Sequence, residues 1–251
     1  MNAAEKIMID HLVNIEAHVH YGEPPPPEVQ PFVVVARNSP ILISAPHGAR
    51  TFRNSADEAW HEEDEYTAAM ALVLGERCGV SVIANVWKSD KCDPNYHVED
   101  QCAYKRQIRT ISEKQGVRWL IDLHGAAKDT DRMKANELVD LGTLKEADSS
   151  LEVKHRNKLR ELITSNIKSE ISIGAFPGIK NSTVTRFCHE ELKHVAAVQI
   201  EMKPQVRVPF RRVDASSYAK FGPYSAPPET VIAMLKALED FINYLKGLPE
   251  S

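Results

Sequence analysis

Three apolar stretches of the chain end in polar residues that a buried strand does not need for stability. Residues 41–45 run into Ser44-Ala45-Pro46-His47-Gly48, residues 119–123 into Asp122-Leu123-His124-Gly125, and residues 195–202 carry Gln199-Ile200-Glu201-Met202. In α/β sheets, sites form in the crevice beyond the carboxyl ends of the strands, so parallel neighbours here would bring His47, His124 and Glu201 together. Two histidines and a carboxylate with a fourth position open are the ligand set of a catalytic zinc, although manganese and iron accept similar donors. The stretch His61-Glu62-Glu63-Asp64-Glu65 lies between the histidines and opens a helix, so it can supply the carboxylate. The same acidic run also suits a helix N-terminus for purely dipolar reasons. Glu201 then reads as a general base that takes a proton from water and passes it to a leaving amine. Asp122, two residues before His124 and on the same strand face, is placed to orient one of the histidines by accepting its second ring N–H. A glycine after each histidine lets the backbone turn sharply and leaves room for a ligand. His11, His18, His20, His61, His97, His155, His189 and His194 have no comparable setting and read as surface or structural residues.

Elements that could position these groups follow from periodicity. Residues 4–19 have helical spacing, ended by Pro24 to Pro27, and residues 24–31 read as a stiff connector into the core. Two short apolar runs, 32–36 and 41–45, flank Arg37-Asn38-Ser39-Pro40 and read as a hairpin. Helices are expected over 64–77, 99–115, 149–171 and 228–248, and buried strands over 80–86, 119–123 and 195–202. Strands alternating with long helices indicate an α/β fold, with a mixed sheet covered on both faces. The chain reads as a single domain over 1–251, with 1–31 as helix and connector and 32–251 as the core.

Composition excludes several classes. The 251 residues carry 31 Lys and Arg against 35 Asp and Glu, a net charge of -4 with no long basic block, so phosphate neutralisation on nucleic acid is not expected. No run approaches eighteen apolar residues, and the N-terminus lacks a signal-peptide core, so neither a membrane nor a secretory route is expected. Cys78, Cys92, Cys102 and Cys188 are widely spaced without a Cys-x-x-Cys, which suggests neither a thiolate zinc site nor a disulfide scaffold, and a reduced, cytoplasmic protein.

The ordered set Ser44-Ala45-Pro46-His47-Gly48, Glu62 to Tyr66, Asp122-Leu123-His124 and Gln199-Ile200-Glu201-Met202 resembles the N-formylglutamate amidohydrolase family. The resemblance implies a three-layer α/β/α fold related to zinc carboxypeptidases, and hydrolysis of a carbon–nitrogen amide bond at one zinc per chain. By position it assigns His47 and His124 as metal ligands, Glu65 as the carboxylate ligand with Asp64 as competitor, and Glu201 as the catalytic glutamate. Family members acting on formylglutamate carry an Asn-Arg pair, but here Asn95 is followed by Tyr96. Substrate binding then falls to Asn95 and to another cation, Arg106 or Arg53, of the type that grips a carboxylate with two parallel hydrogen bonds.

The expected activity is zinc-dependent hydrolysis of a small N-acylated, acidic amino acid or short peptide. A family member that binds without turnover and a metal-dependent carboxypeptidase are the alternatives. A serine hydrolase using Ser44 or Ser182 lacks the Gly-x-Ser-x-Gly elbow. The amphipathic stretches at 149–171 and 228–248 leave a homo-oligomer open.

Overall fold

A computed structural model describes residues 1–53, 59–142, 151–176, 182–223 and 226–249. In its first half the elements are α1 (Ala3–Glu16), β1 (Phe32–Val35), β2 (Ile41–Ala45), β3 (Thr51–Phe52), β4 (Trp60–His61), α2 (Thr67–Cys78), β5 (Ser81–Asn85) and α3 (Ala103–Gln115). The second half has β6 (Trp119–Gly125), β7 (Glu137–Gly142), α4 (Val153–Ile167), β8 (Glu170–Ile173), α5 (Val184–Phe187), β9 (Ala196–Met202), α6 (Pro204–Arg207), α7 (Tyr218–Phe221) and α8 (Pro228–Lys246).

Seven strands form one sheet in the order β1-β5-β2-β6-β9-β7-β8. The four central strands β5, β2, β6 and β9 are mutually parallel, so their carboxyl ends share one edge. Side-chain alternation splits the core into two layers. Ile41, Ile43, Val82, Ile121 and Val198 face α1, α2, α4 and α8, whereas Leu42, Ile83, Leu120 and Ala197 face α3 and α5. The result is a three-layer α/β/α fold with a mixed sheet.

The expected hairpin does not form. β1 pairs antiparallel with β5, and β2 takes β5 on one side and β6 on the other. All five residues of β2 are buried, as a central strand requires, while β1 is half-buried throughout and forms the edge. The five-residue link holds the two strands apart: the Pro40 carbonyl accepts from the Arg118 and Trp119 amides, and Arg37 exchanges hydrogen bonds with the Ser81 hydroxyl. The helix expected over 149–171 is α4 and stops at Ile167, where Lys168 adopts a left-handed backbone (φ 52°) without the glycine that usually announces such a cap. Glu170 then begins β8; residues 149 and 150 lie outside the described residues.

Cys92 and Cys102 are joined by a disulfide with Cα atoms 5.5 Å apart, contrary to the reading from their spacing. The loop between them folds back at Asp93-Pro94-Asn95, bringing the two ends together. Cys78 and Cys188 are free and buried. The bond removes the cysteine argument for a reducing compartment. No described helix is long and apolar enough to cross a membrane.

Gly48, just beyond β2, packs directly against α2 and the end of β5. A Cβ there would stand 2.4 Å from the Ala68 Cβ and 2.4 Å from the Asn85 carbonyl oxygen, neither of which can swing away. Gly48→Ala is therefore expected to cost about 1–3 kcal/mol, seen as a lower urea midpoint at unchanged slope. An unchanged midpoint would contradict this packing.

Candidate metal centre

The sheet edge assembles the site as backbone geometry, before any side chain is considered. His47 leaves the end of β2, and its carbonyl accepts the Asp64 amide at 2.7 Å, which staples the acidic segment beside it. His124 lies in β6, paired in register with Glu201 of β9. The acidic segment is not helical: α2 begins at Thr67, after Tyr66 in a left-handed conformation (φ 68°). Successive side chains on this turn diverge. Asp64 points between the histidines, and Glu65 points to Arg211 (3.2 Å) and to the Ser217 hydroxyl.

Asp64 Oδ2 stands 3.5 Å from His47 Nδ1 and 3.4 Å from His124 Nδ1, and the imidazole centroids are 4.9 Å apart. All three side chains are buried. Donors about 2.0–2.1 Å from a tetrahedral ion stand about 3.3–3.4 Å from one another, close to the two separations seen here. The donor set fits zinc on a second ground. His47 Nδ1 is buried without a hydrogen-bond partner, a state that a metal ligand explains. The opposite nitrogens are occupied: His47 Nε2 lies 2.8 Å from Asp93 Oδ1, and His124 Nε2 lies 3.0 Å from Asp122 Oδ2. A carboxylate accepting Nε2–H fixes the tautomer that leaves each Nδ1 lone pair free for a cation.

Electrostatics follow from the same contacts. Burial alone would lower the pKa of both histidines, but Asp93 and Asp64 raise that of His47, and Asp122 and Asp64 lift that of His124 well above the ordinary value. Burial acts upward on Asp64, and the closeness of His124 and His47 overcomes it, holding the carboxyl well below the usual range. Glu201 is pushed up to about 7 by burial, with the His124 charge pulling the other way, and it accepts a hydrogen bond from Gln199 Nε2 at 2.6 Å.

The structure thus brings His47, His124, Asp122 and Glu201 to one place and seats Asp64, not Glu65, between the imidazoles. Glu65 is drawn off by Arg211, a charge match that sequence spacing does not reveal. The substrate-binding expectations fare differently. Arg106 is exposed and donates to the Glu99 and Asp100 carbonyls, because α3 turns it to the outer surface. Arg53 Nε is engaged by Asp93 at 2.7 Å. Asn95 is a scaffold residue: its side-chain oxygen accepts from the Val184 amide, and its Nδ2 stands 3.2 Å from His124 Nε2. Ser44 pairs with the Tyr104 hydroxyl at 3.0 Å.

Three residues were missed. Asp93 sits in an Asp-Pro that reads as a turn, and only the folded loop sets it against His47. His61, which reads as a surface or structural residue, stacks on His47 with centroids 4.0 Å apart, and burial lowers its pKa to about 4. Arg207 lines the adjoining pocket of about 520 Å³, together with Trp60, His61, Asp64 and Gly125. The signal available for it was position alone, a few residues beyond Glu201.

No protein-family model matches the chain, and no curated protein matches its sequence. Among solved structures, a bacteriophage poly-γ-glutamate hydrolase superposes with a TM-score of 0.50 at 15% identity, over 96% of this chain and 97% of that one. The chain shares that hydrolase's fold. It is also similar to the N-formylglutamate amidohydrolase of Ralstonia eutropha, with a TM-score of 0.49 at 12% identity, covering 86% of this chain and 99% of that one.

Metal analysis of the purified protein should find close to one zinc per chain, lost in His47→Ala, His124→Ala and Asp64→Asn but kept in Glu65→Gln. Asp93→Asn should weaken zinc binding about 10–100-fold by releasing the His47 tautomer. Loss of zinc in Glu65→Gln with retention in Asp64→Asn would reverse the ligand assignment. Because both histidines must shed protons to bind a cation, zinc affinity should fall as pH drops below their raised values.

Proposed function

We propose that the protein is a zinc-dependent amidohydrolase that cleaves the carbon–nitrogen amide bond of a small N-acylated amino acid or short peptide. The observation that carries this reading is the buried His47–Asp64–His124 cluster with Glu201 at the neighbouring strand position. The fold is one on which a poly-γ-glutamate hydrolase is built, but fold does not assign chemistry, and the argument rests on the site. A zinc ion held by those three residues would supply Lewis acidity and lower the pKa of a water to roughly 7.

The protein's own groups do the rest. Glu201, buried and held by Gln199, accepts the proton of the attacking water and returns it to the departing amine nitrogen. A base whose pKa lies near the working pH suits both transfers. Asp93 and Asp122 keep the imidazoles in one tautomer and orientation through the reaction. The pocket beyond Asp64 has Trp60 and Phe221 among its walls and room for a small substrate.

Glu201→Gln should lower kcat by about 10²–10⁴-fold or more while zinc content stays at the wild-type level. Loss of zinc together with activity would instead make Glu201 a ligand. The raised pKa of Glu201 means that its proton-accepting form grows as pH rises toward about 7. A bound cation moves that transition lower. We therefore expect kcat/KM to fall along an acid limb that is absent from the residual activity of Glu201→Gln. A wild-type profile flat across mild acid would exclude Glu201 as the base.

A further inference from the structure

The segment that carries Asp93 is tied to the rest of the fold mainly by side chains. From residue 90 to residue 98 the chain belongs to no helix or strand. Its backbone bonds are local: the Tyr96 and His97 amides both donate to the Asp93 carbonyl at 3.0 Å, so they shape the turn without tying it to the sheet. The outward ties are few and polar. Asp93 reaches His47 at 2.8 Å and Arg53 at 2.7 Å, Asn95 accepts from the Val184 amide at 2.8 Å, and Lys105 Nζ donates to the His97 carbonyl at 2.7 Å. The covalent tie is the Cys92–Cys102 disulfide, which closes the segment across a separation of 10 residues, with Asp93 directly beside Cys92.

The two cysteines of that bond are placed differently. Cys92 is 6% exposed and lines a cavity of about 370 Å³ together with Ser89, Tyr104 and Arg106, whereas Cys102 is fully buried. An incoming thiolate therefore meets the Cys92 sulfur, and Cys102 is the leaving group. Cys102 is also the N-cap residue of α3, and no side chain caps the first-turn amides of that helix. A thiolate released there lies at the positive end of a 13-residue helix, a setting that lowers a thiol's pKa and so speeds its departure.

We propose that Cys92–Cys102 is a site of exchange with a small thiol, and that the state of this bond sets how tightly the metal centre holds zinc. A thiolate attacks the Cys92 sulfur, forms a mixed disulfide there and expels Cys102 as a thiolate, which takes up a proton. A second thiolate attacks the sulfur of the attached small thiol and releases Cys92, which is protonated in turn. Two small thiols are thereby oxidised to one disulfide, and the protein bond is reduced to two thiols. An open segment samples more conformations than a closed ring. Asp93 then spends less time on His47 Nε2, and His47 loses the acceptor that fixes its tautomer and presents its Nδ1 lone pair. The inference rests on the metal-centre assignment and is independent of the amide substrate.

The test treats the folded, metal-free full chain with dithiothreitol, removes the reductant under argon, and measures zinc affinity by competition with a chelating dye. The opened protein should bind zinc about tenfold more weakly than the oxidised one, the lower end of what losing an outer partner of a metal-bound histidine costs. Reoxidation should restore the affinity. Cys92→Ser/Cys102→Ser should match the opened protein, which separates the effect from zinc capture by the freed thiols. In an Asp93→Asn background, opening the bond should make no further difference. Equal affinity in the open and closed states would overturn the proposal. So would a bond that dithiothreitol leaves intact in the folded protein, or a loss that persists undiminished in Asp93→Asn. If the serine variant does not fold, the reversibly opened wild type decides. A wild type that binds no zinc would remove the metal-centre assignment, and hydrogen exchange at the Asn95 to His97 amides would still read the bond: faster exchange on opening is expected, and unchanged exchange overturns the proposal.

Discussion

The whole arrangement depends on one buried carboxylate shared between two imidazoles. Burying Asp64, His47 and His124 together is costly for any of them alone, because each loses its hydration. The cost is offset when the three lone pairs converge on one cation and the outer ring nitrogens are satisfied by Asp93 and Asp122. The segments that carry these residues are constrained accordingly. The β2 terminus must lie beside the acidic turn, which the His47 carbonyl and the Asp64 amide achieve. Strand β6 must lie beside β9, which the parallel register from Trp119–Ala196 to Gly125–Met202 achieves.

Charge is sorted by neighbours more than by sequence order. Four residues of the run His61 to Glu65 face different partners: His61 lies on His47, Glu63 binds Arg50 and Ser216, Asp64 enters the cluster, and Glu65 is held by Arg211 and Ser217. The left-handed backbone at Tyr66 separates these directions, and it is supported by the buried Glu16, whose carboxylate accepts the Tyr66 amide at 2.8 Å. Helix α1 thus reaches the site through one hydrogen bond. The loop that carries Asp93 and Asn95 is closed at its base by the Cys92–Cys102 disulfide, so the carboxylate that orients His47 sits on a short covalent ring, with Asn95 packed against His124. Closing that ring limits the freedom of the unfolded loop.

Much of this was legible from residue types. The apolar runs ending in His47, His124 and Glu201 identified the central strands and the edge where they end, because a buried strand has no other use for such residues. The α/β class followed from alternating periods, and α8 has the limits that its apolar face suggested, to within two residues. The hairpin was misread because two adjacent apolar runs look alike whether they pair with each other or with a third strand, and β5 takes the place between them. Strands β7 and β8 escaped because Glu137, Asp140 and Ser172 break their apolar pattern, and α4 hid the turn at Lys168. Asp64 could not be separated from Glu65, since one residue along a turn changes direction without changing chemistry. Asp93 and Arg207 carry no local signal at all; their places at the site exist only once distant segments meet.

X-ray absorption at the zinc edge of the loaded protein tests the central claim most directly. The account expects two imidazole nitrogens and carboxylate oxygen at about 2.0–2.1 Å, with sulfur absent from the first shell. A shell with sulfur, or with fewer than two imidazoles, would place the ion elsewhere and leave the His47–Asp64–His124 cluster without its explanation.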